Sequence, residues 1–287
     1  MSLKPHHGAP LLYIVLGLAW LWASPRLLAA TVIGQRWAPL ARTASDGLLV
    51  LASAGFVAAL VYAHIRRLDR ANQKLCAAYE QTMLALTGAL DVRHRETGDH
   101  SLRVTRVMLA LARFDGIRDP AMLKRIEYSA LLHDIGKLML PDSVLTKAGP
   151  LDEREMALVR RHPIVARELL QKIDFLCHCT DIPQYHHEHW DGTGYPQGLA
   201  GEDIPYLARL FAVVDVWDAL THPRVYKRAW SDAQVRQYLS EQAGKLFDPH
   251  AVALFLRHYE ALRAAADARS LTPRLPRLPL HSALGGL

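Results

Sequence analysis

Residues 47–65, GLLVLASAGFVAALVYAHI, contain no Lys, Arg, Asp or Glu. A helix crosses a bilayer with about 20 predominantly apolar residues, so this run either spans a membrane or is the buried core helix of a domain. A second apolar run, residues 11–24 (LLYIVLGLAWLWAS), precedes it. It reaches spanning length only by continuing through Leu27–Ile33, across Pro25 and Arg26. A cleavable signal peptide competes for the first run, but no clear cleavage site precedes polar sequence, and a second span follows closely. The expected arrangement is a membrane anchor over 1–65 made of two transmembrane helices. Arg66, Arg67, Arg70 and Lys74 follow the second run, against Arg36 and Arg42 in the short loop and Lys4 before the first run. That bias places the C-terminal bulk in the cytoplasm, on the cytoplasmic (inner) membrane. Three cysteines, Cys76, Cys177 and Cys179, are too few for a disulfide framework and suit reduced thiols. The net charge of +6 has no long basic run behind it. It fits a juxtamembrane belt and an anionic substrate, and gives no reason to expect nucleic acid as a partner.

Residues 66–90 lack proline and repeat Leu68, Leu75, Tyr79, Met83 and Leu86 at a 3–4 spacing. They read as a helix, either a signalling helix that pairs in a homodimer or a linker helix packed on the next domain. From 91 to 268 the periodicity is helical and no strand-like alternation occurs, so the domain there is expected to be all-α. Asp152 with Glu155 resembles a capping box, and Ser231-Asp232 and Asp248-Pro249 mark further helix starts. The Pro-interrupted tail 269–287 is expected to be disordered.

Within 91–268 the chain carries many residues of metal-binding type. Glu96 and His100 are four apart, on one helical face. His133-Asp134 lies behind the apolar run Tyr128–Leu132, where a buried carboxylate beside an imidazole is costly unless both hold a cation. Lys137, a turn later, serves either as the salt-bridge partner of a carboxylate or as a charge stabiliser for a phosphate oxygen. His162 stands before Pro163. The neighbours His186 and His187 diverge on a helix, which suits two different metals. Asp191–Pro196 is a Gly-rich turn needing positive φ at Gly192 or Gly194, with Tyr195 expected exposed at its tip. Asp215 and Asp218 share a helical face, and Arg224, Lys227 and Arg228 offer cations to phosphates. The donors are imidazoles and carboxylates without thiolate, which favours iron or manganese over structural zinc. Paired metals are the usual apparatus for phosphodiester cleavage.

Glu96-Thr97-Gly98-Asp99-His100, His133-Asp134-Ile135-Gly136-Lys137, His186-His187-Glu188, Asp191–Pro196 and Asp215–Leu220 together resemble the HD-GYP subgroup of the HD-domain phosphohydrolases over about residues 75–265. The resemblance implies an HD-type helical bundle that hydrolyses cyclic di-GMP to pGpG or GMP at a centre of two or three divalent metals, commonly iron or manganese. It implies Glu96, His100, His133, Asp134, His162, His186, His187 and Asp215 as ligands, with Glu96 favouring three metals. Lys137 would join His133 and Asp134 in catalysis, and Asp218, Arg224 and Lys227 would contact substrate. The chain departs from the family at His189 (usually Arg), Val225 (usually Pro) and Ala166 (a glycine). Other readings are a phosphodiesterase for another cyclic dinucleotide such as cyclic GMP-AMP, or a silent scaffold that binds the dinucleotide. In the scaffold reading the Gly194-Tyr195-Pro196 loop could instead receive a diguanylate cyclase. That same turn disfavours a generic HD-domain nucleotidase.

Overall fold

The computed structural model describes residues 34–93, 100–147, 149–222 and 229–268, together with isolated positions between Tyr13 and Arg26. The tail 269–287 lies outside the described residues. Among the described residues all regular structure is helical, and β pairing is limited to the isolated bridges Asp191–Ala200 and Ala243–Phe247. The chain divides into two compact units, residues 1–78 and 79–287.

In the first unit the main element is α1, Gly34–Arg93, whose residues up to Ala78 belong here. From Thr43 it is long and apolar enough to cross a membrane by length and composition. Its apolar side chains face outward: Leu48, Val50 and Leu51 are all about 70% exposed (70%, 66% and 73%). Two described residues of the first apolar run contact this helix. The Tyr13 ring stacks on Phe56 at 4.2 Å and its hydroxyl bonds Ser53, while Trp20 donates to Ser45 Oγ at 3.3 Å. Position falls along one run as it rises along the other, which is antiparallel pairing.

The second unit takes in the last turns of α1 and a bundle built in chain order from α2 (His100–Phe114), α3 (Pro120–Leu131), a 3₁₀ turn (Ile135–Met139), α4 (Asp142–Leu145), α5 (Glu153–Val159) and α6 (His162–Leu170). It continues through α7 (Asp181–Tyr185), α8 (Tyr206–Thr221), α9 (Asp232–Gln242), α10 (Pro249–Arg257) and α11 (Tyr259–Asp267). The start signals legible in the sequence operate here. Asp152 and Glu155 close a capping box on α5, Ser231 does so with Gln234 on α9, and Asp248 caps α10 ahead of Pro249. Each such cap is worth about 0.5–2 kcal/mol.

Two apolar clusters hold the bundle together. The larger joins α2, α3, α8, α10 and α11 through Val104, Met108, Ile126, Phe211, Trp217, Phe255 and Tyr259. The smaller gathers Met83 from α1 with Leu131, Leu132, Ile135, Ala166, Leu170 and Cys179. Cys179 is a free thiol in that cluster, and its pKa is pushed up to about 11 by burial. Arg93 ties the end of α1 down, its Nε donating to Asp142 Oδ1 at 2.8 Å and its Nη2 to Leu140 O at 2.7 Å. The 3₁₀ turn sits against the start of α6 so closely that a Cβ on Gly136 would lie 2.0 Å from His162 O. Only glycine permits that approach, and Ala166, fully buried beside it, keeps the facing helix small.

Candidate metal centre

The close approach at Gly136 brings Asp134 to His162. His133 and Asp134 follow the end of α3, His162 opens α6, and His186 caps the end of α7 with His187 just beyond. One donor atom from each of Asp134, His162, His186 and His187 lies within 4.8 Å of the others, and the same holds for His100, His133 and Asp134. Asp134 belongs to both groups. Its Oδ1 is 3.2 Å from His162 Nε2 and 3.8 Å from His186 Nε2, whereas its Oδ2 is 3.2 Å from His133 Nε2. The two oxygens thus face two different sets of imidazoles.

The imidazoles are locked by their other nitrogen. His133 Nδ1 is 2.9 Å from Ala130 O, His162 Nδ1 2.7 Å from Val159 O, and His186 Nδ1 3.0 Å from Ile182 O. A carbonyl only accepts, so each Nδ1 carries a hydrogen, and in the neutral ring each Nε2 keeps its lone pair for a cation. His133 Nε2, His162 Nε2, His186 Nε2 and Asp134 Oδ1 are all buried without a hydrogen-bond partner. Four such atoms gathered at Asp134 are costly in a protein interior without positive charge among them, which metal ions supply or, in the metal-free chain, a proton on His133. The residues therefore fit a centre of more than one metal ion, and the donor set is nitrogen and oxygen.

The electrostatics agree. Burial would raise the Asp134 carboxyl, but the Lys137 ammonium, Nζ 2.6 Å from Oδ2, and His133 outweigh it and hold it well below the usual carboxylate range. Burial would lower His133, yet Asp134 and Asp215 raise it to about 9. His186 and His187 are driven far down by burial and by the neighbouring imidazoles. The cluster thus draws one positive charge and rejects others. For the metal-free chain this sets a stability profile. His186 and His187 bind more protons unfolded than folded, so stability falls as pH drops below their unfolded value of about 6.5. His133 binds its proton more tightly when folded, so its contribution is complete below about 6.5 and is lost as pH rises through about 9. Thermal unfolding of chelator-treated protein should peak near pH 6.5 and decline on both sides. A midpoint that rises steadily to pH 9 would show that His133 does not carry this charge.

The remaining expected residues fall in several places. Asp215 on α8 lies beside the second group, its Oδ1 3.5 Å from His100 Nε2. Asp218 is 1% exposed and stands behind His100. It accepts from His100 Nδ1 at 2.7 Å, from Arg103 Nε and Nη2 at 2.9 Å each, and pairs with His222 Nδ1 at 3.1 Å. Those bonds give Asp218 a supporting position behind His100, and its contact with substrate stays a proposal. Bonds from His100, His222 and Arg103 overcome burial and keep its pKa far below the usual range. Glu96, Arg224 and Lys227 lie outside the described residues.

Two further expectations need correction. His186 and His187 do not diverge to separate groups, because α7 ends at Tyr185 and the chain turns there, leaving the rings 4.0 Å apart. Tyr195 is not an exposed tip, since its ring stacks on His187 at 4.7 Å with the Arg160 guanidinium 5.6 Å away on it. Burial, then Asp134 and Asp215, push its hydroxyl pKa up. The turn is drawn in by Glu188, 2% exposed, which accepts from Gln197 N at 2.7 Å and Leu199 N at 3.0 Å. Gly192 takes φ of 81°. Gly194 is required for a different reason, because a Cβ there would meet His189 N at 2.3 Å. Arg103, Glu188 and His222 were absent from the expected site. Of these, Arg103 had a readable signal, being three residues from His100 on one helical face.

A helical bundle that converges imidazoles on a shared, buried aspartate is an HD-type metal-binding domain. The chain matches the HD domain family over residues 76–251 and belongs to it, in its HD-GYP form. It is 40% identical over 185 residues to the 3'3'-cGAMP-specific phosphodiesterase 2 of Vibrio cholerae, covering 63% of this chain and 35% of that protein. It is 36% identical over 226 residues to a cyclic di-GMP phosphodiesterase of the same organism, covering 74% of this chain and 46% of the relative. A cyclic di-GMP phosphodiesterase of Pseudomonas aeruginosa is 44% identical over 159 residues, covering 55% of this chain and 38% of the relative. This chain spans less than half the length of each of these relatives.

Proposed function

We propose that the protein is a metal-dependent cyclic dinucleotide phosphodiesterase that opens cyclic di-GMP to pGpG or GMP. The observation that carries this is the set of four buried, unpartnered donor atoms on His133, Asp134, His162 and His186. Divalent cations held there, iron or manganese by the donor set, would supply Lewis acidity to the phosphoryl oxygens and would activate water at neutral pH. The protein's own groups do the rest. Asp134, His162, His186 and His187 would hold one ion and His100, His133, Asp134 and Asp215 another, with Glu96 a proposed ligand for a third. Lys137 places a positive charge at the rim of the centre, where it steadies negative charge developing on the phosphate or leaving oxygen. Phe211, 5.0 Å from the His133 ring, closes the apolar side against water. Tyr195 walls the other side through His187. Arg224 and Lys227 remain proposed phosphate contacts.

A second substrate is favoured by a specific observation, the 40% identity to a relative described as specific for 3'3'-cGAMP. Incubating the full chain with Mn²⁺ and each dinucleotide, then resolving products by chromatography, tests both. Faster cleavage of cyclic di-GMP supports the main reading, faster cleavage of 3'3'-cGAMP the second, and neither product contradicts the enzyme.

The anchor is proposed as a transmembrane hairpin over residues 1–65, with 66–90 as a linker or dimerising helix and the catalytic domain on the cytoplasmic side. The antiparallel pairing of Tyr13 with Ser53 and Phe56, and of Trp20 with Ser45, supports it. So does the outward-facing apolar surface of α1. A cytoplasmic reporter fused after Leu287 should be active and alkaline phosphatase there silent. The opposite pattern would reverse the topology and remove access to a cytoplasmic dinucleotide.

A further inference from the structure

The imidazoles of the centre are supported in two ways. His133, His162 and His186 each use a main-chain carbonyl three or four residues upstream, so their orientation is a local property of their own turn. His100 is held by tertiary structure. Its Nδ1 meets Asp218 Oδ2 at 2.7 Å, across 118 residues of chain. Asp218 is itself gripped by Arg103, whose Nε reaches Oδ1 and whose Nη2 reaches Oδ2, both at 2.9 Å. The Arg103 side chain is 11% exposed and that of Asp218 2% exposed, so this two-pronged pair is enclosed between α2 and α8.

We propose that Arg103 is a positioning residue for the half of the metal centre built on His100. The inference rests on the metal reading of the site. A planar guanidinium fork fixes the plane of the carboxylate it binds, which a lysine ammonium cannot do. With Asp218 so fixed, its Oδ2 accepts the hydrogen of His100 Nδ1, and Nε2 is turned toward Asp215, 3.5 Å away. Carboxylates that hold a ligating histidine in this manner set its tautomer and basicity. Arg103 also supplies the counter-charge that a buried carboxylate requires. The group formed by Asp134, His162, His186 and His187 draws no support from Arg103 or Asp218 in any of the bonds described. The bonds that join Arg103 to the centre run through Asp218 to His100, so its effect is expected on that half of a centre whose halves share Asp134.

The test is a Mn²⁺ titration of full-length, chelator-stripped protein in detergent against a chromophoric chelator, comparing wild type with Arg103→Lys and Arg103→Met. Arg103→Lys keeps the charge and loses the fork, so it decides the matter if Arg103→Met fails to fold. One ion should bind about 10–100-fold more weakly, with the other at wild-type affinity and the helical circular dichroism unchanged. Arg103→Met should show the larger loss. Two equally affected ions, or a loss that tracks lost helicity, would reduce Arg103 to a structural role and overturn the proposal, as would unchanged binding. A wild-type chain that binds no Mn²⁺ would overturn the metal reading as well.

Discussion

Asp134→Ala should release both ions and reduce hydrolysis to background. Asp134 is the one residue present in both donor groups, with its two oxygens directed at different imidazoles. Its removal leaves His133, His162 and His186 with orphaned Nε2 atoms and no carboxylate to balance a divalent charge. It also leaves the Lys137 ammonium, whose side chain is 13% exposed, without its 2.6 Å partner. Losing one member of a buried pair costs about 3–5 kcal/mol, so the variant is also expected to melt earlier. Asp134→Asn separates the effects, because the amide oxygen still accepts from Lys137 while the anionic ligand is gone. Metal content by elemental analysis and turnover should fall together in both variants. A variant with full metal and full turnover would mean that the bridge has been placed on the wrong residue.

Lys137→Ala should behave differently, keeping its metal while kcat falls by roughly a hundredfold or more. Lys137 is bonded to Asp134 Oδ2 but is not one of the grouped donors. Loss of one charge-stabilising donor aimed at a transition state costs on the order of 3 kcal/mol. The two roles open to this lysine, carboxylate partner and catalytic charge, are both compatible with its position, and the variant divides them. Retained metal with slow turnover assigns the charge to the reaction. Loss of metal in step with activity would make Lys137 a support for Asp134 alone.

The sequence was most informative where chemistry is local. The capping boxes at Asp152 and Ser231 depend on a few adjacent residues and could be read directly. His133-Asp134 stood out because an imidazole and a carboxylate behind an apolar run need a cation to be tolerable there. What escaped was set by distant contacts. Tyr195 looked exposed because a Gly-rich turn usually projects, and nothing local announced that Glu188 would fold the turn back over His187. His186 and His187 looked divergent because a continued helix was assumed, whereas α7 stops one residue before them. Asp218 was legible as a polar residue on an otherwise apolar face, but its partners on α2 lie more than a hundred positions earlier. Gly136 lies outside any turn motif legible in the sequence, and Gly194, a candidate for positive φ by turn reasoning, does not take one. Their requirement is a close backbone approach that only the folded chain reveals.

The central claim is that the buried donors form a multinuclear metal centre. The measurement that reaches it most directly is elemental analysis of the full-length protein, purified without chelator from cells supplied with iron or manganese. Two or three ions of iron or manganese per chain are expected. A single zinc, or no metal at all, would contradict the centre drawn around Asp134.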